Sequence, residues 1–171
     1  MYSKPSASKN ICEKALYSRG FFYFHTMPKK NTTAPQAVKF IITEMQGGGF
    51  HPFVNVTIEG LKCRFLIDTG ASKSVIDKHF YETKLNRKLK VLRQETTGLH
   101  STVMESYVGT LKKLTIGKLA ISGYTIASVD LMHVNTTYQK MKLKKIHGIL
   151  GSDLLQKHNM VIDYGQAKLF I

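Results

Sequence analysis

From Val38 onward the chain is written in short runs of β-branched and aromatic residues separated by glycine-containing or polar breaks. Val38 to Met45, Phe53 to Ile58, Cys63 to Ile67, Leu111 to Ile116, Tyr124 to Val129, Val161 to Tyr164 and Lys168 to Ile171 each have the length and composition of a strand. Gly47-Gly48-Gly49 joins the first two runs, Glu59-Gly60 makes a tight turn before the third, and Gly117 breaks the run that ends at Ile116. These neighbours are therefore expected to pair as antiparallel hairpins. Ser74 to Leu85 reads as weakly helical, and Ser152 to His158 as a short helix with Ser152 capping its first turn and Leu154 and Leu155 facing inward. A further helical turn is expected from Asn135 through Lys140. The predicted class is all-β with a short C-terminal helix.

Residues 1–37 have a different texture, mixing Lys, Ser, Asn, Thr and Pro without a sustained period. They are expected to form a basic, disordered extension, with residues 38–171 as the one folded domain, a size that buries a core without staples. Met27-Pro28-Lys29-Lys30 reads as an alternative translation start. Gly20 to Phe24 is far short of the roughly 20 apolar residues of a membrane span, and Ser18 and Arg19 interrupt what would be a secretory leader.

Charge and cysteine content narrow the function classes. The chain has 25 Lys+Arg against 11 Asp+Glu, a formal charge of +14. The cations fall in separate places, Lys29-Lys30, Lys84 to Arg93, Lys112-Lys113 and Lys140 to Lys145, a pattern that reads as a solvated face rather than a nucleic-acid footprint. The two cysteines, Cys12 and Cys63, make no disulfide framework, which points to a reducing, cytoplasmic setting. Seven histidines show neither paired helical spacing nor nearby cysteines, so no metal or other cofactor is expected. His100 and His147 are candidates to line a cleft, and Cys63 is read as a small buried hydrophobe.

The chemistry concentrates in Phe65-Leu66-Ile67-Asp68-Thr69-Gly70-Ala71-Ser72, where a strand that should be buried ends in an acid, a hydroxyl, a glycine and two small residues. A carboxylate beside a buried strand loses solvation unless something hydrogen-bonds it. The N–H groups of the Gly70-Ala71 turn and the Ser72 hydroxyl are the local donors.

Asp68-Thr69-Gly70-Ala71-Ser72 after an apolar strand resembles the active-site loop of the retropepsin-like aspartic peptidases. Gly148-Ile149-Leu150-Gly151-Ser152-Asp153-Leu154-Leu155 is similar to the family's late glycine signature, in which Ile149, Leu150 and Gly151 are structural and the strand leads into the C-terminal helix. Val161 to Tyr164 and Lys168 to Ile171 resemble the closing strands. The resemblance implies a half-barrel completed as a homodimer, Asp68 as the catalytic carboxylate, Thr69 locking two loops together, Gly70 contacting acid and substrate, Ala71 flooring the cleft and Ser72 buttressing Asp68. Thr97-Gly98-Leu99-His100 sits where the family carries its flap.

The implied activity is endopeptidase cleavage of an extended peptide or protein substrate. One carboxylate deprotonates water while a second acid protonates the scissile carbonyl oxygen. As is general in aspartic proteases, two such groups held about 3 Å apart share a proton. Asp77, Asp130, Asp153 and Asp163 lack a following Thr/Ser-Gly, so the second loop must come from another copy. Two rival functions stay open at this point: a non-catalytic peptide binder on the same fold, and a basic protein associated with nucleic acid.

Overall fold

The fold is that of a computed structural model, which describes residues 35–45, 47–95 and 103–171. The order is β1 (Ala37–Glu44), β2 (Phe50–Ile58), β3 (Leu61–Ile67), β4 (Val75–Asp77), α1 (Lys78–Thr83), β5 (Lys90–Glu95), β6 (Val103–Ile116), β7 (Leu119–Val129), α2 (Met132–Lys140), β8 (Gly148–Leu150), α3 (Ser152–Lys157), β9 (Val161–Asp163) and β10 (Lys168–Phe170). The all-β expectation holds, with three short helices at the connections.

Six strands close on one another in the order β2-β3-β8-β4-β7-β6, and β6 returns to β2 through Thr57↔Thr115 and Ile58↔Leu114. Strand β2 makes this possible by dividing one edge between two partners: residues 50–54 pair with β1 and residues 57–58 with β6. The half-barrel expectation is thereby corrected, because the barrel closes within one chain. Strand β5 extends from β6, while β1, β10 and β9 continue from β2 in that order.

Alternation explains both faces of the barrel wall. Val54, Val56 and Ile58 of β2 and Cys63, Phe65 and Ile67 of β3 point into a core shared with Ile76, Leu111, Leu114, Ile116, Ile126 and Leu150. On the outer side Phe53 and Leu66 pack with Leu131, Tyr138 and Ile146 in a second, smaller core beneath α2.

Several sequence expectations change for physical reasons. Residues 75–77 form a strand, not the start of a helix, because Val75 and Ile76 are bonded on both sides, to β7 in parallel and to β8 in antiparallel register. Asp77 then ends the strand and starts α1: its Oδ2 accepts the Phe80 N–H at 3.0 Å and its Oδ1 the Leu131 N–H at 3.1 Å. Helix α2 begins at Met132, three residues before the expected turn. Ser152 does not cap α3; Gly151 holds the cap position and the Ser152 hydroxyl donates to the Ala71 carbonyl at 3.0 Å. Among the described residues no helix is long and apolar enough to cross a membrane.

Candidate active site

Strand β3 delivers Asp68 to the end of the barrel. Its last residues run parallel to β8, with Phe65↔Gly148, Leu66↔Ile149 and Ile67↔Leu150 in register, and the ladder ends where the Asp68 N–H donates to the Leu150 carbonyl at 3.0 Å. Beyond that bond the chain turns: the Ala71 N–H donates to the Asp68 main-chain carbonyl at 3.2 Å. The Gly70 N–H donates to Asp68 Oδ1 at 2.9 Å, so one carboxylate oxygen is held by the backbone of its own turn. Asp68 is half-buried, while Thr69 and Gly70 are exposed.

The late glycine segment fixes the other side of the loop. Ser152 donates to the Ala71 carbonyl from both its N–H, at 2.8 Å, and its hydroxyl. Gly151 approaches so closely that an added Cβ would lie 2.6 Å from the Lys73 carbonyl carbon and 2.8 Å from the Ala71 oxygen. Ile149, Leu150 and Gly151 thus lie alongside the Asp68 loop, against its main chain.

Ser72 is exposed, and the Asp68 carboxylate takes its bond from Gly70 instead. The buried serine of the loop is Ser74. Its N–H and hydroxyl donate to Asp153 Oδ1 at 2.8 and 2.7 Å, and its Oγ accepts the Gly151 N–H at 2.9 Å. Tyr124 on β7 donates its phenolic hydroxyl to Asp153 Oδ2 at 2.8 Å. A serine two residues beyond Ser72 and an aspartate 79 positions further on therefore tether the loop to α3 and β7. Sequence reasoning gave neither this role, although Asp153 stands in the late glycine segment, since the contact joins positions 79 apart.

Burial raises the Asp153 carboxyl, but the hydrogen bonds from Ser74, Tyr124 and the Leu154 N–H outweigh it and hold the group below the ordinary carboxylate range. A carboxylate with a lowered native pKa adds stability above its unfolded value and loses it as pH falls through the native one. The stability gap between wild type and Asp153→Asn is therefore expected to be full at neutral pH and to close as pH drops below 3.8. Urea midpoints of the two proteins across that range measure it; a constant gap would show that the network carries no charge-dependent stability.

The remaining aspartates are engaged elsewhere. Asp77 bonds the Phe80 and Leu131 N–H groups, Asp130 accepts the Met132 N–H, and Asp163 accepts the Gln166 N–H and side-chain amide. Cys63 is buried, and burial pushes its thiol up to about 11, which keeps it from acting as a nucleophile near neutral pH. His147 packs edge-on against Phe80 and accepts the Arg64 N–H, on the outer side of β3. Thr97, Gly98, Leu99 and His100 lie outside the described residues; the strands flanking them pair antiparallel from Lys90↔Val108 to Glu95↔Val103.

A search of curated protein sequences finds no significant match. Among solved structures, the chain is similar to a retropepsin-like aspartic protease from Rickettsia conorii, with 23% identity and a TM-score of 0.49 over 80% of this chain and 92% of that one. It is also similar to the retroviral protease-like domain of Ddi1 from Leishmania major, with 19% identity and a TM-score of 0.43 over 70% of this chain and 92% of that one. The inhibitor-bound EIAV protease gives 20% identity and a TM-score of 0.42 over 64% and 88% of the two chains. The sequence family described as aspartyl protease matches residues 54–154, a span that begins within β2 and holds β3, the Asp68 loop and the Gly148–Gly151 segment packed against it. By that match, which takes in more than half of its length, the chain belongs to the aspartyl protease family.

Proposed function

We propose that this protein is an aspartic endopeptidase whose active site forms between two copies of the chain, with Asp68 of each copy facing the other across a two-fold axis. The observation that carries the reading is the state of Asp68. It is half-buried at the end of the β3–β8 pair, with Oδ1 held by Gly70, while the other four aspartates of the sequence are committed to hydrogen bonds elsewhere in the fold. A second carboxylate for the same site must then come from a second chain.

In the assembled site the paired Asp68 carboxyls share one proton and hold a water between them. The ionised partner takes a proton from the water as it attacks the scissile carbonyl, and the protonated partner gives its proton to the carbonyl oxygen. Gly70 keeps Asp68 oriented through both steps, and the exposed Thr69 is placed to bond the opposite loop. Ala71 is the floor residue, its carbonyl already tied to Ser152. Strands β5 and β6 pair antiparallel on either side of the segment that the family resemblance assigns as flap, and the substrate is an extended peptide bonded through its main chain.

The far end of the sheet supports self-association. Strand β9 is terminal in the strand order, and Val161 and Tyr164 are more than half exposed there. The residues before Gln36 are read as an extension to the peptidase domain, since Gln36 and Ala37, which the sequence reading counted in that extension, pair with Ile171 and Phe170 at the edge of the fold; a reducing cytoplasm is read as its setting, the buried free thiol of Cys63 being compatible with it. Sedimentation of the purified chain run beside digestion of a mixed peptide library, from acidic to neutral pH, tests the proposal. A dimer with a bell-shaped pH profile of cleavage is expected; a stable monomer, or a dimer that binds peptide without cutting it, would overturn it, the latter in favour of a peptide-binding role.

A further inference from the structure

The outward face of the β2–β3 hairpin carries a chemistry that peptide hydrolysis does not use. Strand alternation sends Val56, Cys63 and Phe65 into the core and leaves Asn55, Thr57, Lys62 and Arg64 outside. The pairing register sets them as a two-by-two array, Asn55 opposite Arg64 and Thr57 opposite Lys62. The segment leading into β8 runs alongside, since the His147 N–H donates to the Arg64 carbonyl at 2.8 Å, and it brings Lys144 and Lys145 to the same place. The result is an open groove of about 590 Å³ lined by four cationic side chains and by no carboxylate.

Two features separate this groove from an ordinary solvated face. First, Arg64 is fixed: its guanidinium lies 3.7 Å over the ring of the buried Phe53, and Nη1 donates to the Lys144 carbonyl at 2.9 Å. One donor of the planar fork is used, and the others are held in one orientation at no further entropic cost. Second, none of the four cations is held in an ion pair with a described residue, although Lys145 also borders a neighbouring pocket that holds Asp77, Glu82 and Asp130. The one ion pair among the described residues joins Arg87 to Glu59, so the acid at the hairpin turn is already taken. His147 adds a neutral donor: burial and the nearby Lys145 lower its pKa, and Nδ1 accepts the Arg64 N–H at 3.1 Å, which leaves the proton on Nε2.

We propose that this groove is a binding site for an oligophosphate chain, separate from the peptidase site. Cations spaced along and across strands, about 7 Å for residues two apart and about 5 Å between neighbouring strands, fit a ligand with several linked anionic groups better than a single ion. Phe53, the aromatic ring beneath Arg64, is covered, so the groove offers no stacking platform and reads phosphates rather than bases. Arg64 stands on β3 four residues before Asp68, which follows the end of that strand, about 13 Å along the extended backbone, so a ligand here does not fill the cleft.

Calorimetric titration of the full chain with inorganic tripolyphosphate tests this, with a thymidine oligonucleotide titrated in parallel. Saturable binding of one tripolyphosphate per chain is expected, weakened about tenfold by Lys62→Gln with Lys145→Gln. Lys112→Gln with Lys113→Gln, which removes the same charge from exposed positions on β6, is expected to change it less than about twofold. Equal weakening by the two pairs would mean a general charge effect and would overturn the site. So would the absence of saturable tripolyphosphate binding, or oligonucleotide binding through Lys62 and Lys145 when tripolyphosphate does not bind.

Discussion

Titrating wild-type chain with Asp68→Asn chain is expected to lower peptide cleavage as the square of the wild-type fraction, while the total amount of dimer stays constant. The substitution is nearly isosteric, and asparagine retains an Oδ1 acceptor for the Gly70 N–H, so the turn keeps its geometry. What is lost is the proton chemistry. A pure Asp68→Asn dimer has neither a base for the water nor an acid for the carbonyl oxygen, and its rate is expected to fall by at least about 10³-fold. A mixed dimer holds one carboxylate and one amide and is equally unable to share a proton. With equal amounts of the two chains, about a quarter of the dimers remain competent under random assembly. Cleavage of a peptide by refolded mixtures, with sedimentation to check assembly, measures the curve. A straight line through the mixtures would mean that each chain is its own enzyme and would remove the shared site. Undiminished cleavage by the pure variant would place the chemistry on another residue.

The Asp68 loop was legible because it breaks a rule: an acid directly after a buried apolar run needs donors, and a glycine two positions on supplies a close one. The hairpins were legible for the same local reason, since Glu59-Gly60 and Gly117 adopt positive φ in tight turns that the flanking runs require. What stayed hidden is non-local. Val75 and Ile76 are too short a run to announce a strand, and they become one only because β7 and β8 bond them from either side. Ser74 and Asp153 carry no local signal of their contact and meet across 79 positions. Ser72 was the nearer hydroxyl in sequence, yet it lies exposed beyond the turn, while Ser74, just before β4, is buried against Asp153 and Gly151. The positive charge shows the same limit. Lys62 and Arg64 lie on a strand and Lys144 and Lys145 in a connection far along the chain, so basic residues that look scattered converge where the segment before β8 runs beside β3. The barrel closure, likewise, depends on one edge of β2 serving two partners, which no local pattern encodes.

Gly151→Ala is expected to cost both stability and activity, although Gly151 touches no reacting atom. Its backbone is extended, at φ −93° and ψ 177°, so alanine is conformationally acceptable there. The obstacle is space: the new Cβ would stand 2.6 Å from the Lys73 carbonyl carbon, 2.7 Å from the Lys73 oxygen and 2.8 Å from the Ala71 oxygen. All three are main-chain atoms of the loop that begins at Asp68, and main chain cannot rotate away as the tip of a side chain can. Either the loop or α3 must move. The Ser152 N–H bond to Ala71 and the Gly151 N–H bond to Ser74 are the contacts that would stretch. Overpacking of this kind costs about 1–3 kcal/mol, and the two strained hydrogen bonds place the expected loss near about 3 kcal/mol. Because the displaced segment carries Asp68, cleavage should fall further than the loss of folded protein accounts for; a 1 Å shift at a reacting group can cost about 10²-fold. Gly49→Ala is the control, since Gly49 has no positive φ and its Cβ would meet nothing within 4 Å; it should change stability by less than about 0.5 kcal/mol. Urea midpoints and peptide turnover per folded chain separate the two effects. An unchanged midpoint for Gly151→Ala would mean that the loop yields freely. In that case the glycine segment would not be what holds Asp68 in position.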